Sequence, residues 1–135
     1  MRTARLGDGY FASFQTPDEF GARMAAIREY AKGFGRENAR IESGLILRCR
    51  ISTSKKRALE EVEPKLWRIG AVDGDAVLKR SVYGSPDDII AQMQPYVAAG
   101  LDKFVLWPLA TPEDWPKQIE LIGREIASHY LKLAA

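Results

Sequence analysis

Gly44-Leu45-Ile46-Leu47-Arg48-Cys49-Arg50-Ile51-Ser52 is the stretch on which the fold turns. Alternation puts Leu45, Leu47, Cys49 and Ile51 on one face of an extended segment, and Ile46, Arg48, Arg50 and Ser52 on the other. It reads as a strand with an apolar side for helices to cover. The second side carries two arginines, and charges there need a partner, water or an anionic ligand. Two readings of that side stay open: a salt-bridged pair at the wet end of the strand, or an anion-facing pair at the C-terminal mouth of a barrel.

Around this strand, one pattern occurs three times: Thr16-Pro17-Asp18-Glu19, Ser85-Pro86-Asp87-Asp88 and Thr111-Pro112-Glu113-Asp114. A hydroxyl accepts from orphan amides, proline has no amide to waste in a first turn, and acids favour the positive end of the helix dipole. Each predicts a helix start. Stripes follow: Phe20, Met24, Ile27 and Ala31, closed by Gly33 or Gly35; Ile89, Met93, Tyr96 and Val97, closed by Gly100; and Trp115, Ile119, Ile122, Ile126 and Leu133. Pro95 predicts a bend or break, and Pro116 an irregular first turn. Tyr10–Phe14 and Lys103–Trp107 read as further strands, Ser54–Leu66 as another helix interrupted at Pro64, and Val72-Asp73-Gly74-Asp75 as a turn signal for a small hairpin or an excursion loop.

Strands that alternate with helices predict parallel pairing through right-handed crossovers. With about three strands, the 135-residue chain reads as one domain holding part of a (β/α)8 barrel, incomplete on its own, because a closed barrel takes roughly 250 residues. A small open α/β sheet is the alternative.

Composition narrows the function classes. Twenty Lys and Arg against 18 Asp and Glu leave a net charge of +2, scattered along the chain, which argues against nucleic acid. No apolar run approaches the roughly 20 residues of a membrane span. The start Met1-Arg2-Thr3-Ala4-Arg5-Leu6-Gly7-Asp8 lacks the apolar core of a signal peptide, so a cytoplasmic location is expected. Cys49, the sole cysteine, excludes an internal disulfide and reads as a buried inert thiol. No phosphate loop, dinucleotide fingerprint or metal-ligand spacing is present. Gly33-Phe34-Gly35-Arg36 follows a helix and reads as its terminating turn. His129 reads as structural, and Gly84-Ser85-Pro86 as an ordinary cap, since Asp87 and Asp88 oppose an anion there.

Arg2-Thr3-Ala4-Arg5-Leu6-Gly7-Asp8-Gly9-Tyr10-Phe11 resembles the luciferase-like monooxygenases, in which a helix ending Ala-Arg-x-Gly-Asp-Gly-Trp leads into the sixth barrel strand; Tyr10 stands in place of the tryptophan. Gly84–Asp88 through Gly100–Leu106 resembles that family's closing helix and eighth strand, and Trp115-Pro116 to Glu125 its last helix. The resemblance implies the C-terminal half of an oxidoreductase that uses FMN or the deazaflavin F420, holding strands six to eight. It also implies that the catalytic residues and the phosphate-binding Gly-rich turn belong to earlier strands, so no catalytic residue is assigned and the chain alone is expected to be inactive. Barrel geometry leaves Tyr10, Phe11, Ser13, Arg48, Arg50, Ser52 and Trp107 at strand mouths; Tyr10, Phe11, Arg48, Arg50 and Trp107 are the expected cofactor-facing residues. A non-enzymatic half-barrel is the other reading, paired with itself or with a separate N-terminal half.

Overall fold

A computed structural model describes residues 1–64 and 73–133. In chain order the elements are α1 (Arg2–Leu6), β1 (Gly9–Ser13), α2 (Pro17–Lys32), β2 (Glu42–Ile51), α3 (Lys55–Val62), α4 (Gly74–Lys79), β3 (Ser81–Gly84), α5 (Pro86–Ala98) and β4 (Lys103–Pro108). A 3-10 turn (Pro112–Asp114), α6 (Trp115–Leu121), a π-helical turn (Ile122–Ala127) and α7 (Ser128–Leu133) complete the chain. The four strands form one sheet in which β2 pairs with each of the others, in parallel with β1 and β3. The α/β class and the parallel pairing expected from strand–helix alternation are thus present.

The chain divides into two compact units, Met1–Leu47 with Pro95–Val105, and Arg48–Gln94 with Leu106–Ala135. In the first unit, β1 lies along the start of β2, with Phe11 opposite Gly44 and Ala12 opposite Leu45. Asp102, just before β4, takes the Ser43 amide at 2.7 Å, and Lys103 meets Glu42 at 2.6 Å. Successive residues of a parallel strand turn their main-chain bonds to opposite neighbours. Glu42 donates to Asp8 and Ile46 accepts from Phe14, whereas Ser43 turns to Asp102, so β1 and the approach to β4 flank β2.

Helix α2 covers the apolar side of this unit. Phe20, Met24, Ile27 and Ala31 are all buried, as their spacing predicts. Thr16 accepts from the Glu19 amide while Glu19 accepts from the Thr16 amide, a complete capping box. At the other end Gly35, at φ 68°, lets its own amide reach Lys32 and that of Arg36 reach Ala31. This is the Schellman closure, so Gly33–Arg36 is indeed a helix-terminating turn.

In the second unit, β3 lies along Arg48–Ile51, and the Ser52 amide donates to Gly84. The Leu109 amide donates to Cys49, so the chain leaving β4 takes the other edge. The core of this unit includes Leu109, Val82, Ile89, Met93 and Ile126, with Cys49 fully buried among them.

Several expectations need correction. Strand β3 escaped the reading because Ser-Val-Tyr-Gly has too few residues to show alternation. Asp73 caps a helix, accepting from the Ala76 amide, where a turn or loop was expected; Val72 lies outside the described residues, as do Lys65 and Leu66 at the end of the expected Ser54–Leu66 helix. Helix α5 runs through Pro95 to Ala98, because a proline in the last turn removes only one main-chain bond. Val97 is exposed instead of buried. Ile119 is 54% exposed and Gln118 is buried in its place.

Candidate functional site

The C-terminal ends of β2 and β4 in the second unit bring together a group of polar and aromatic side chains. Arg50, 8% exposed, sits one residue before the end of β2. Its Nε and Nη2 donate to Glu61 Oε2 at 3.1 and 2.7 Å, and Asp114 lies 3.7 Å from Nη1. Glu61 arrives from α3, where Ser54 caps the helix by accepting from the Arg57 amide. The other oxygen of Glu61 accepts from Ser52 Oγ at 3.1 Å and lies 3.2 Å from Arg57 Nε. Burial pushes the Glu61 carboxyl up, but the hydrogen bonds and charge of Arg50, with Ser52 and Arg57, outweigh it and hold it below the usual range. Glu61 is therefore an ionised anchor at neutral pH and not a proton donor. Of the two readings left open for Arg50, the salt-bridged one describes the structure.

Beside this network Trp107 and Trp115 meet edge to face, with ring centroids 5.4 Å apart. The Trp115 indole N–H donates to the Ala110 carbonyl at 3.2 Å, while Trp107 remains 46% exposed. No local pattern marks the role of Gln118. Its Oε1 accepts from the Ile51 amide at 2.9 Å and its Nε2 donates to the Ile51 carbonyl at 3.0 Å. A side-chain carboxamide thus supplies the donor and acceptor of a neighbouring peptide at the end of β2.

The remaining expected residues stand elsewhere. Arg48 lies within β2, where burial lowers its pKa. Tyr10 and Phe11 lie in the first unit, opposite Ser43 and Gly44 at the start of β2. They point to opposite faces. Tyr10 shares the face of buried Ala12, and its hydroxyl accepts from Gln15 Nε2 at 3.3 Å. Phe11 is 59% exposed and lies over Gly44, where an added Cβ would come within 2.5 Å of its ring. A recess of about 180 Å³ opens here, lined among others by Gly9, Gly44, Phe11 and the Glu42–Lys103 ion pair. Structure thus brings Arg50 and Trp107 into one unit with Glu61, Asp114, Trp115 and Gln118, and sets Tyr10 and Phe11 in the other.

The Ser85 turn at the start of α5 offers no anion cradle. Asp88 Oδ2 takes the Ser85 amide at 3.0 Å and its hydroxyl at 2.9 Å. Among the described residues no group of three or more His, Cys, Asp or Glu is placed to hold a metal, and no helix is long and apolar enough to cross a membrane.

No family model matches the chain. A 5,10-methylenetetrahydromethanopterin reductase of Methanopyrus kandleri is 34% identical over 62 residues, which is 46% of this chain and 18% of that protein. Among solved structures, the coenzyme F420-dependent tetrahydromethanopterin reductase of Methanopyrus kandleri matches with a TM-score of 0.65 at 20% identity, over 94% of this chain and 46% of its own. An F420-dependent secondary alcohol dehydrogenase matches with a TM-score of 0.69 at 13% identity, over 92% and 43%. A monooxygenase from Streptomyces bottropensis matches at 0.67 and 18%, over 95% and 44%. F420-dependent reductases and luciferase-like monooxygenases are thus the structural neighbours, as the resemblance in sequence implied, and the likeness is one of fold. The chain spans less than half the length of each of these proteins.

Proposed function

We propose that the chain is the C-terminal portion of a luciferase-like (β/α)8 barrel, in which β1, β2 and β4 correspond to strands six, seven and eight and β3 belongs to an excursion between the last two. The observation that carries this reading is coverage: nearly all of this chain superimposes on less than half of F420-dependent reductases and monooxygenases. The complete barrel would be an oxidoreductase dependent on FMN or coenzyme F420, acting on a small molecule. When bound, the reduced ring supplies the redox chemistry and the protein orients it and keeps water away.

The residues at hand fit only part of such a cofactor. Trp107, half exposed beside Trp115, offers a planar apolar wall of the kind a flavin ring needs. Its anionic portion finds no cradle in the second unit, since Arg50 is matched by Glu61 and Asp114, and Asp88 fills the Ser85 turn. The phosphate would be held by residues outside this chain. On this reading the chain alone binds flavin weakly and turns over nothing.

Fluorescence titration with FMN and with F420 tests this, weak or no binding being the expected result. A sub-micromolar dissociation constant at one cofactor per chain would overturn it. The reading frame upstream of Met1, or a neighbouring one, is expected to encode strands one to five with a Gly-rich phosphate turn; the longer protein or the pair should then bind one cofactor tightly. A second reading, a half-barrel that pairs with itself, draws on the exposure of Phe11 and Val105 in the first unit.

A further inference from the structure

We propose that the C-terminal helix of the second unit has two registers, one with Gln118 turned inward through a π turn and one with Ile119 turned inward through a continuous α-helix, and that the Ile51 main chain selects between them. The apolar pattern supports the second register. At 3.6 residues per turn, Ile119 and Ile126 are about 20° apart around a regular α-helix, whereas Gln118 and Ile126 are about 80° apart. Yet Gln118 and Ile126 are the buried pair, 2% and 1% exposed, and Ile119 is 54% exposed.

The π turn at Ile122–Ala127 resolves this. The Ser128 amide reaches back to Gly123, a five-residue step that inserts the equivalent of one extra residue. That surplus rotates α6 relative to Ile126, so that Gln118 takes the inward position which the pattern intends for Ile119. Gln118 is held there by its two bonds to Ile51. Those bonds satisfy an amide and a carbonyl at the end of β2, just beyond the point where Leu109 makes the bond from the β4 side. Without the carboxamide nothing holds the π turn, which α-helical bonding otherwise disfavours, and Ile119 turns in.

Position 119 reports the register. In an Ile119→Cys background the thiol is accessible and Cys49 is shut away, so labelling reads position 119 alone. Adding Gln118→Lys, which cannot accept from the Ile51 amide and must carry its charge out to water, is expected to slow labelling of the folded protein about tenfold, as protection by packing does. Labelling at an unchanged rate in a cooperatively folded protein would overturn the proposal. A second variant covers the case in which Gln118→Lys does not fold. Deleting Gly123, which is exposed with open space around it, leaves Gln118 and Ile126 seven residues apart. Seven residues is two α-helical turns, so both anchors fit without a π turn. The deletion should keep or raise the melting temperature, and a fall of the size that core deletions cause would refute the one-residue surplus.

Discussion

Arg50 shows how one residue's environment decides between a binding role and a structural one. Its guanidinium is almost fully buried and faces two carboxylates, so removing it leaves Glu61 and Asp114 unbalanced at the end of β2. Arg50→Ala should lower unfolding free energy by about 2–3 kcal/mol, below the range for fully buried pairs because Glu61 and Asp114 keep some contact with water. Denaturant titration measures this; a change under about 0.5 kcal/mol would mean the network contributes little. The two carboxylates make folding the property that Arg50→Ala should change. Acid should act through the same group. The Glu61 pKa lies below the ordinary 4.5, so its contribution is complete above that value and is lost as pH falls through the depressed folded pKa. Thermal midpoints between pH 5 and pH 3 should fall more steeply in the native protein than in Glu61→Gln; equal slopes would exclude Glu61 as the titrating group. Cys49 is simpler. Burial pushes its thiol up to about 12, so at pH 8 a disulfide reagent should react with it only as fast as the chain unfolds.

At the scale of elements, two of the three hydroxyl-Pro-acid starts make a controlled comparison. Thr16 has its full capping box, whereas Thr111 makes no capping bond and opens a 3-10 turn. Thr16→Ala should cost about 1 kcal/mol through the lost cap. Thr111 is buried, so any cost there comes from packing and should show no helix fraying by amide exchange. If Thr16→Ala leaves exchange in the first turn of α2 unchanged, the box is not what holds it. The same elements show what could be read in advance. Starts, stripes and the Gly35 closure are local, since the residues that satisfy the backbone lie within five positions of it. Strand β2 was legible because Leu45, Leu47, Cys49 and Ile51 recur at every second position, a repeat that outlasts the exception at Ile46. What stayed hidden depends on distant partners: Gln118 is inward because Ile51 needs its carboxamide, and Ile119 is outward as a consequence. The mouth was partly legible for the same reason. Arg50 and Trp107 stand out by residue type, but Glu61 and Asp114 look like ordinary surface acids until α3 and the 3-10 turn bring them to Arg50.

For the whole molecule the open question is what covers the sheet. Parallel sheets occur almost only with both faces packed, because their crossovers place helices on them. Here the crossover helices bury Leu45, Leu47 and Ala12, while alternate residues turn away from them. In the first unit Phe11 is 59% and Val105 42% exposed; in the second, Trp107 is 46% exposed. Phe104, Leu106, Ile46 and their neighbours, which alternation says the helices cannot all bury, are indeed not all buried: those three are half-buried, with Phe104 edge to face on Tyr96 at 6.2 Å, and Val105 and Trp107 are exposed. Among the described residues β1 and β4 each pair only with β2, so each has a free edge, and free edges beside exposed apolar side chains recruit further strands. The chain by itself should therefore not persist as a dilute monomer. Light scattering is expected to give a dimer or larger species, and Phe11→Glu, which places a charge on the uncovered face without touching the core, should shift it toward monomer with the circular dichroism unchanged. If a chain carrying strands one to five is the true cover, adding it should dissolve the self-assembly into a defined pair. A monodisperse, stable species near the chain mass of 15.1 kDa would refute the argument from open edges and point to a self-contained α/β sheet.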